Sequence, residues 1–293
     1  MHRRRAWLAF ALLAPLCIWL IVTIVIPIAY LVQLSFTTTG IFGTAAEFAG
    51  LANFQRILGS ERFWQSARNT LVWVIGNGLV QVTLAFTVAR LLYRRTAFTR
   101  FMQIWIILPW VIPGVAAVII WRWMLSGIGV VNYGIQSVGL VDAPISFFAQ
   151  PSIAMATTIF VNSWRWFPLL TVILLAALRN IPTELREAAM VDGATENQTW
   201  WHVVMPLLRP VLYVLGLLGT LWSANVFDVI WLLTRGGPSG GTATLPIFIY
   251  EEAFTRFRLG SAAAASLFMM MFLLVFVVLF LQYGWGRDLR RRR

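Results

Sequence analysis

Residues 184–210 read ELREAAMVDGATENQTWWHVVMPLLRP, and long apolar runs lie on either side of them. This stretch is too polar to cross a bilayer. Pro182 suits the first turn of a helix, where a missing N–H costs nothing. Glu184 and Glu187 favour the positive N-terminal end of that helix. Ala188, Ala189 and Met190 are strong helix formers. Gly193 supplies a stop, because glycine takes a left-handed C′ conformation without strain. Thr195 with Gln198 three residues later spells a capping box for a second helix. The pattern predicts a hairpin over 182–206, two short helices at an angle on a membrane surface, ending where Pro206 and Pro210 lead back into lipid. An interfacial hairpin that only links spans normally shows a basic polar face. Here the polar face carries Glu184, Glu187, Asp192 and Glu196, which suits a basic protein partner better than anionic lipid.

Composition agrees with a membrane setting. The chain has 293 residues, 59% hydrophobic and 12% charged, about half the charged share of a soluble protein. The net charge of +12 does not indicate nucleic acid, because the basic residues cap apolar runs and form no continuous face. Every one of the 23 Lys and Arg residues is arginine. A phosphate loop of the Gly-x-x-x-x-Gly-Lys-Ser/Thr type needs a lysine, so this chain has none, and a Schiff-base lysine is equally excluded. The lone cysteine, Cys17, sits in the first apolar run and has no intrachain partner. No His, Cys and Asp grouping has metal-ligand spacing, so no metal is expected.

Six apolar segments are long enough for the ~30 Å hydrocarbon core. They lie near 8–34, 70–92, 103–125, 152–178, 208–234 and 262–285, in one transmembrane domain over 1–293. The first is far longer than the apolar core of a signal peptide and is read as a retained helix. The arginines near Arg3, Arg94, Arg186 and Arg290 outnumber those near Arg62 and Arg256, which puts both termini and the hairpin in the cytoplasm. The outer loops are 36–69 and 235–260, the latter opening with a glycine-rich turn.

The hairpin resembles a known family. EAAMVDGA leading to Met205-Pro206 is similar to the EAA loop of ABC importer permeases. LLAPLCIWLIVTIVIPIAYLVQLSF, FAGLANFQRILGSERFWQSARNTLVW, LPWVIPGVAAVIIWRWML with the later GIGVVN, and LLTRGGPSGGTATLPIFIYEEAF resemble, in order, further segments of its carbohydrate-uptake branch. The resemblance implies an all-α, six-span type I importer permease fold in a bacterial inner membrane. It implies four kinds of partner: a second permease, two cytoplasmic ATPases that use ATP and Mg, an extracytoplasmic binding protein, and a sugar-like solute. No cofactor would be bound by this chain. Carried over by motif, Glu187 would pair with an ATPase arginine, Ala188 and Ala189 would permit close approach, and Asp192, Gly193 and Pro206 would shape the coupling loop.

Polar residues inside spans are pointers to a solute pathway. Span four carries Asn162, Arg165 and Trp166, span five Asn225 and Asp228, and span two Asn77 and Gln81. Tryptophan offers a flat apolar face and one donor, which suits a sugar ring. The expectation is that Asn162, Trp166, Asn225 and Asp228 touch solute, with Arg165 and Asn77 beside them. A second reading stands: Arg165 and Asp228 neutralise each other and the amides join helices. Arg122 is expected to snorkel, and Pro109 and Pro113 to bend span three.

Two other transport readings compete with this one. The same machine could carry a glycerophosphodiester or glycerol phosphate, which an unpaired Arg165 facing a cavity would favour. A stand-alone ion-coupled carrier has no motor to grip the hairpin. A membrane enzyme has no nucleophile–base signature to support it.

Overall fold

The computed structural model describes residues 12–38, 47–94 and 96–282. The expected terminal positions 8–11 and 283–285, and the terminal arginines used for orientation, lie outside them. Among the described residues, five helices are long and apolar enough to cross a bilayer. They are α1 (Leu12–Ser35), α3 (Glu61–Leu92), α7 (Pro151–Arg179), α9 (Glu196–Ala224) and α12 (Leu259–Phe280). A sixth span is formed if the bent pair α4 (Ala97–Val111) and α5 (Gly114–Met124) counts as one. Shorter helices are α2 (Ala52–Leu58), α6 (Val130–Ser137), α8 (Thr183–Val191), α10 (Asp228–Thr234) and α11 (Leu245–Tyr250).

The single span expected over 103–125 is broken, with 94° between α4 and α5. Proline disfavours the helical region for the residue before it. Ile112 is accordingly extended at ψ 131°, and Pro113 continues extended at ψ 131° before α5 restarts at Gly114. The span expected over 208–234 is also divided. The helix stops at Ala224, and α10 begins again at Asp228.

At its other end the hairpin differs from expectation. Its second helix is not a separate surface helix, because Glu196–Ala224 runs as one apolar helix of 29 residues. Pro206 does not interrupt it. A wide π-turn over Trp200–Val204 comes first, closed by Met205 N–H on the Trp200 carbonyl. Widening the turn relieves the clash of a proline ring with the preceding carbonyl and absorbs the missing donor. The same device precedes Pro27 in α1, where Ile26 N–H reaches the Ile21 carbonyl.

The domain expected over 1–293 packs as two compact units: Met1–Trp64 with Phe248–Val275, and Gln65–Ile247 with Phe276–Arg293. In the first, Phe63 is fully buried among Trp64, Phe248 and Phe268, at centroid separations of 5.4, 5.6 and 5.0 Å. A two-residue antiparallel ladder pairs Thr37 with Phe48 and Thr38 with Glu47. The second unit holds two apolar clusters. One joins Ala85, Ala89, Leu174, Leu178, Trp200, Val204 and Leu208. The other joins Trp73, Val118, Met155, Val161, Ile230 and Ile247.

Candidate functional site

The hairpin is specified by its own sequence. The Ala194 N–H donates to the Ala189 carbonyl at 2.9 Å, and the Gly193 N–H to the Met190 carbonyl at 3.1 Å. With Gly193 at φ +84°, this is a Schellman close, which side chains with a Cβ disfavour. At the next helix start, Gln198 N–H donates to Thr195 Oγ1 at 3.3 Å and Thr195 N–H to Gln198 Oε1 at 2.8 Å. Both reciprocal bonds of the capping box are made.

Helix α8 buries none of its residues. Glu184, Glu187, Ala188, Asp192 and Gly193 are exposed, and Ala189 and Pro206 are half-buried. Leu185, Met190 and Val191 are also exposed, so the surface mixes carboxylates with small and apolar groups. The hairpin is fixed at its base. The Arg90 guanidinium lies 4.9 Å from the centroid of buried Trp200, and Arg186 lies 4.8 Å from that of Tyr93. Phe86 meets Trp200 edge-on at 5.5 Å. Aromatic faces attract guanidinium groups through their quadrupole, so the last turns of α3, with Tyr93 just beyond its end, hold both arms of the hairpin.

A polar knot lies in the middle of the second unit. Asn77 Oδ1 accepts three bonds, from Asn162 Nδ2 at 2.7 Å, Gln81 Nε2 at 3.1 Å and Ser163 Oγ at 3.2 Å. Asn77 Nδ2 donates to the Trp73 carbonyl at 2.8 Å. Asn162 is 1% exposed, yet among the described residues its Oδ1 has no hydrogen-bond partner, and neither does Ser223 Oγ. Both residues line a small cleft with Gln81, Trp166, Gly219 and Trp222. Trp166 and Trp222 lie 5.9 Å apart at 31°. Buried polar atoms normally find partners, and the cleft, at about 20 Å³, has room for a single water between the two.

Arg165 and Asp228 form an ion pair at 3.3 Å. The guanidinium also lies 5.6 Å from the Trp166 centroid and against Gly114, where an added Cβ would fall 2.5 Å from its Cζ. Arg165 thus lies against both helix breaks, at Gly114 and at the start of α10. Asn225 turns back on its own helix, donating to the Leu221 carbonyl at 2.8 Å. Arg122 donates to the Leu232 carbonyl at 3.1 Å. Sequence reading missed Gly114, Trp222 and Ser223. Gly114 after Pro113 was the available signal for a close approach; Ser223 carried none. Among the described residues no cluster of His, Cys, Asp or Glu is placed to hold a metal.

Residues 81–291 match the profile of the family described as the binding-protein-dependent transport system inner membrane component. A probable ABC transporter permease protein of Brucella suis is 32% identical over 279 residues, 94% of this chain and 96% of that one. The trehalose/maltose transport system permease protein MalF of Thermococcus litoralis is 28% identical over 285 residues, 96% and 95% of the two chains. A solved bacterial alginate ABC transporter, in complex with an alginate-pentasaccharide-bound periplasmic protein, has a chain of similar fold. Its TM-score is 0.82, with 26% identity and coverage of 96% and 95%. The chain belongs to this family of inner membrane transport components. It is a multi-span permease subunit of an ABC importer.

Proposed function

We propose that this permease takes up a sugar or related polyol handed over by an extracytoplasmic binding protein. A second permease completes the pathway, and two cytoplasmic ATPase chains use ATP and Mg. Both termini and the hairpin face the cytoplasm. The observation that carries the reading is the acidic, exposed α8, gripped at its base by α3 and continuous through α9 with the polar knot. Glu187 meets an ATPase arginine, Ala188 and Ala189 let the surfaces close, and Asp192, Gly193 and Pro206 set the angle.

The mechanism is alternating access. Closure of the ATPases pulls the hairpin, and α9 carries that motion to Trp222 and Ser223. A shift from 1:99 to 99:1 between two states needs about 5.5 kcal/mol of differential binding, within reach of a gripped helix. Solute recognition uses Asn162 and Ser223 as hydrogen-bonding groups and Trp166 with Trp222 as apolar faces. Asn77 orients Asn162, and Asn225 and Asp228 border the helix break. A paired Arg165 favours a neutral solute over a phosphodiester.

The test uses the assembled transporter in vesicles. Glu187→Arg should lower ATP-driven uptake more than tenfold while the chain still inserts. Asn162→Ala and Trp166→Ala should raise the apparent KM. Uptake by this chain without ATPases would overturn the coupling reading. Unchanged uptake and affinity in Asn225→Ala and Asp228→Ala would remove those two from the solute contacts.

A further inference from the structure

The unit formed by Met1–Trp64 and Phe248–Val275 carries a cavity of about 280 Å³, lined by Thr38, Asn53, Arg56, Arg258, Gly260 and Ser261. Its floor is built. Asn53 is 1% exposed and donates to the carbonyls of Ser35 and Thr37 at 3.0 and 2.8 Å. Arg56 Nη1 donates to Asn53 Oδ1 at 3.3 Å and to Ser261 Oγ at 3.2 Å. Gly260 permits this packing, since an added Cβ would fall 3.0 Å from Asn53 Cγ and collide with the Thr37 carbonyl.

Charge is unbalanced at this cavity. Glu251 pairs with Arg62 at 2.5 Å, and Glu252 pairs with Arg256. Among the described residues, no carboxylate lies within ion-pair distance of Arg56 or Arg258. Both are exposed. Phe257, at φ +55°, and the bond from Arg258 N–H to the Glu252 carbonyl at 2.7 Å set the backbone that carries Arg258. Two planar guanidinium forks beside the hydroxyls of Thr38 and Ser261 form a donor set for an oxyanion.

Depth decides the source of that oxyanion. Thr38 lies just beyond the end of α1 at Ser35, and Arg258 immediately precedes α12 at Leu259. Both helices are long and apolar enough to cross a bilayer, whose hydrocarbon core is ~30 Å thick. The ends that carry Thr38 and Arg258 therefore lie at the headgroup layer. Phe257 and Leu259, 55% and 37% exposed, flank the cavity with apolar surface. Glu252 also attracts Arg258 and Arg56 from a distance, but the four arginines Arg56, Arg62, Arg256 and Arg258 still outnumber Glu251 and Glu252. This excess calls for a net negative headgroup, where a zwitterionic one would bring a cation of its own.

We propose that Arg56 and Arg258 clamp the phosphate of an acidic phospholipid in the leaflet at this end of α1 and α12. The site depends on the chain spanning a bilayer and not on the transport reading. The test is native mass spectrometry of the full-length chain released from mixed phosphatidylglycerol and phosphatidylethanolamine micelles. Wild type should retain phosphatidylglycerol in preference, and the double variant Arg56→Gln, Arg258→Gln should lose that retention about tenfold. Arg56→Lys with Arg258→Lys should keep most of it. Equal retention in wild type and the Gln variant would overturn the site. Displacement of the lipid by millimolar inorganic phosphate would make the occupant a free ion and overturn the lipid assignment. A photoactivatable phosphatidylglycerol on wild type needs no substitution: labelling absent from peptides spanning 48–64 and 251–261 would also refute it.

Discussion

The acidic hairpin and the polar knot are built in opposite ways. The hydrogen bonds that make the hairpin's turn and cap join residues at most five apart, from Ala194 on Ala189 to Thr195 on Gln198, and only its base is held from elsewhere. The knot joins Asn77 to Asn162 across 85 positions of sequence, and Arg165 to Asp228 across 63. The first is a local code that folds on its own signals. The second exists only once α3, α7 and α10 have packed. The difference suits the roles proposed for them: a handle has to keep its shape whatever the rest of the molecule does, whereas a pathway has to change its contacts between states.

Four perturbations break or sharpen that contrast. The largest effect is expected from Asn77→Ala, which strands three donors at once. Two of the three bonds cross between helices, and leaving a buried donor without its partner costs about 1–3 kcal/mol, so the loss should be about 2 kcal/mol, read as reduced thermal stability in detergent. A change well below 1 kcal/mol would mean that the knot is not a structural hub. Gly193→Val comes next. A β-branched residue in the left-handed region costs about 1–2 kcal/mol, and the damage should stay local, visible as faster hydrogen exchange at 188–196 with the knot unchanged. If exchange rises equally around Asn162, the hairpin is less autonomous than its bonds indicate.

Gly114→Ala should act at a distance. The new methyl meets the flexible end of Arg165, which can move, so the helix survives and the Asp228 pair is lost. A partly exposed pair contributes about 1 kcal/mol or less. Gly114→Ala and Arg165→Gln should therefore be non-additive in a double-mutant cycle. Full additivity would show that the glycine serves something else. The smallest effect is on pH dependence in the other unit. Burial raises the Glu251 carboxyl above its usual range despite Arg62, and burial does the same to Glu252 against Arg258, Arg62 and Arg56. A raised carboxyl binds its proton more tightly when folded, so its contribution is present at low pH and is lost as pH rises through the folded value. Glu251→Gln should flatten the fall in melting temperature as pH rises above about 4.5, the ordinary glutamate value. An unchanged slope would place the titration elsewhere.

The contrast also explains what was legible. Gly193, Thr195 and Gln198 announced their turn and cap because each acts on neighbours in the chain. The apolar runs announced helices for the same reason. Hydropathy did not reveal the stops at Ile112 and Ala224, since apolar content continues through both. Pro113 indicated a bend, but its extended backbone and the 94° change of direction depend on what packs against it. Nor did sequence reveal that Trp200 leads straight into α9, because the π-turn that accommodates Pro206 has no composition of its own. The partners of Asn162 and Arg165 come from other helices, so span membership hinted at them and tertiary packing chose between them.

One rod of 29 residues runs from Glu196 beside the hairpin to Ala224 beside the tryptophan cleft. At 1.5 Å per residue it is about 43 Å long, so pivoting its base by about 5° would sweep its tip through about 4 Å. That is wider than a hydrogen bond. A lever of this length turns a modest twist at its base into a displacement at its tip large enough to make or break contacts there, and its irregular turn, Trp200–Val204, lies close to the base and not midway.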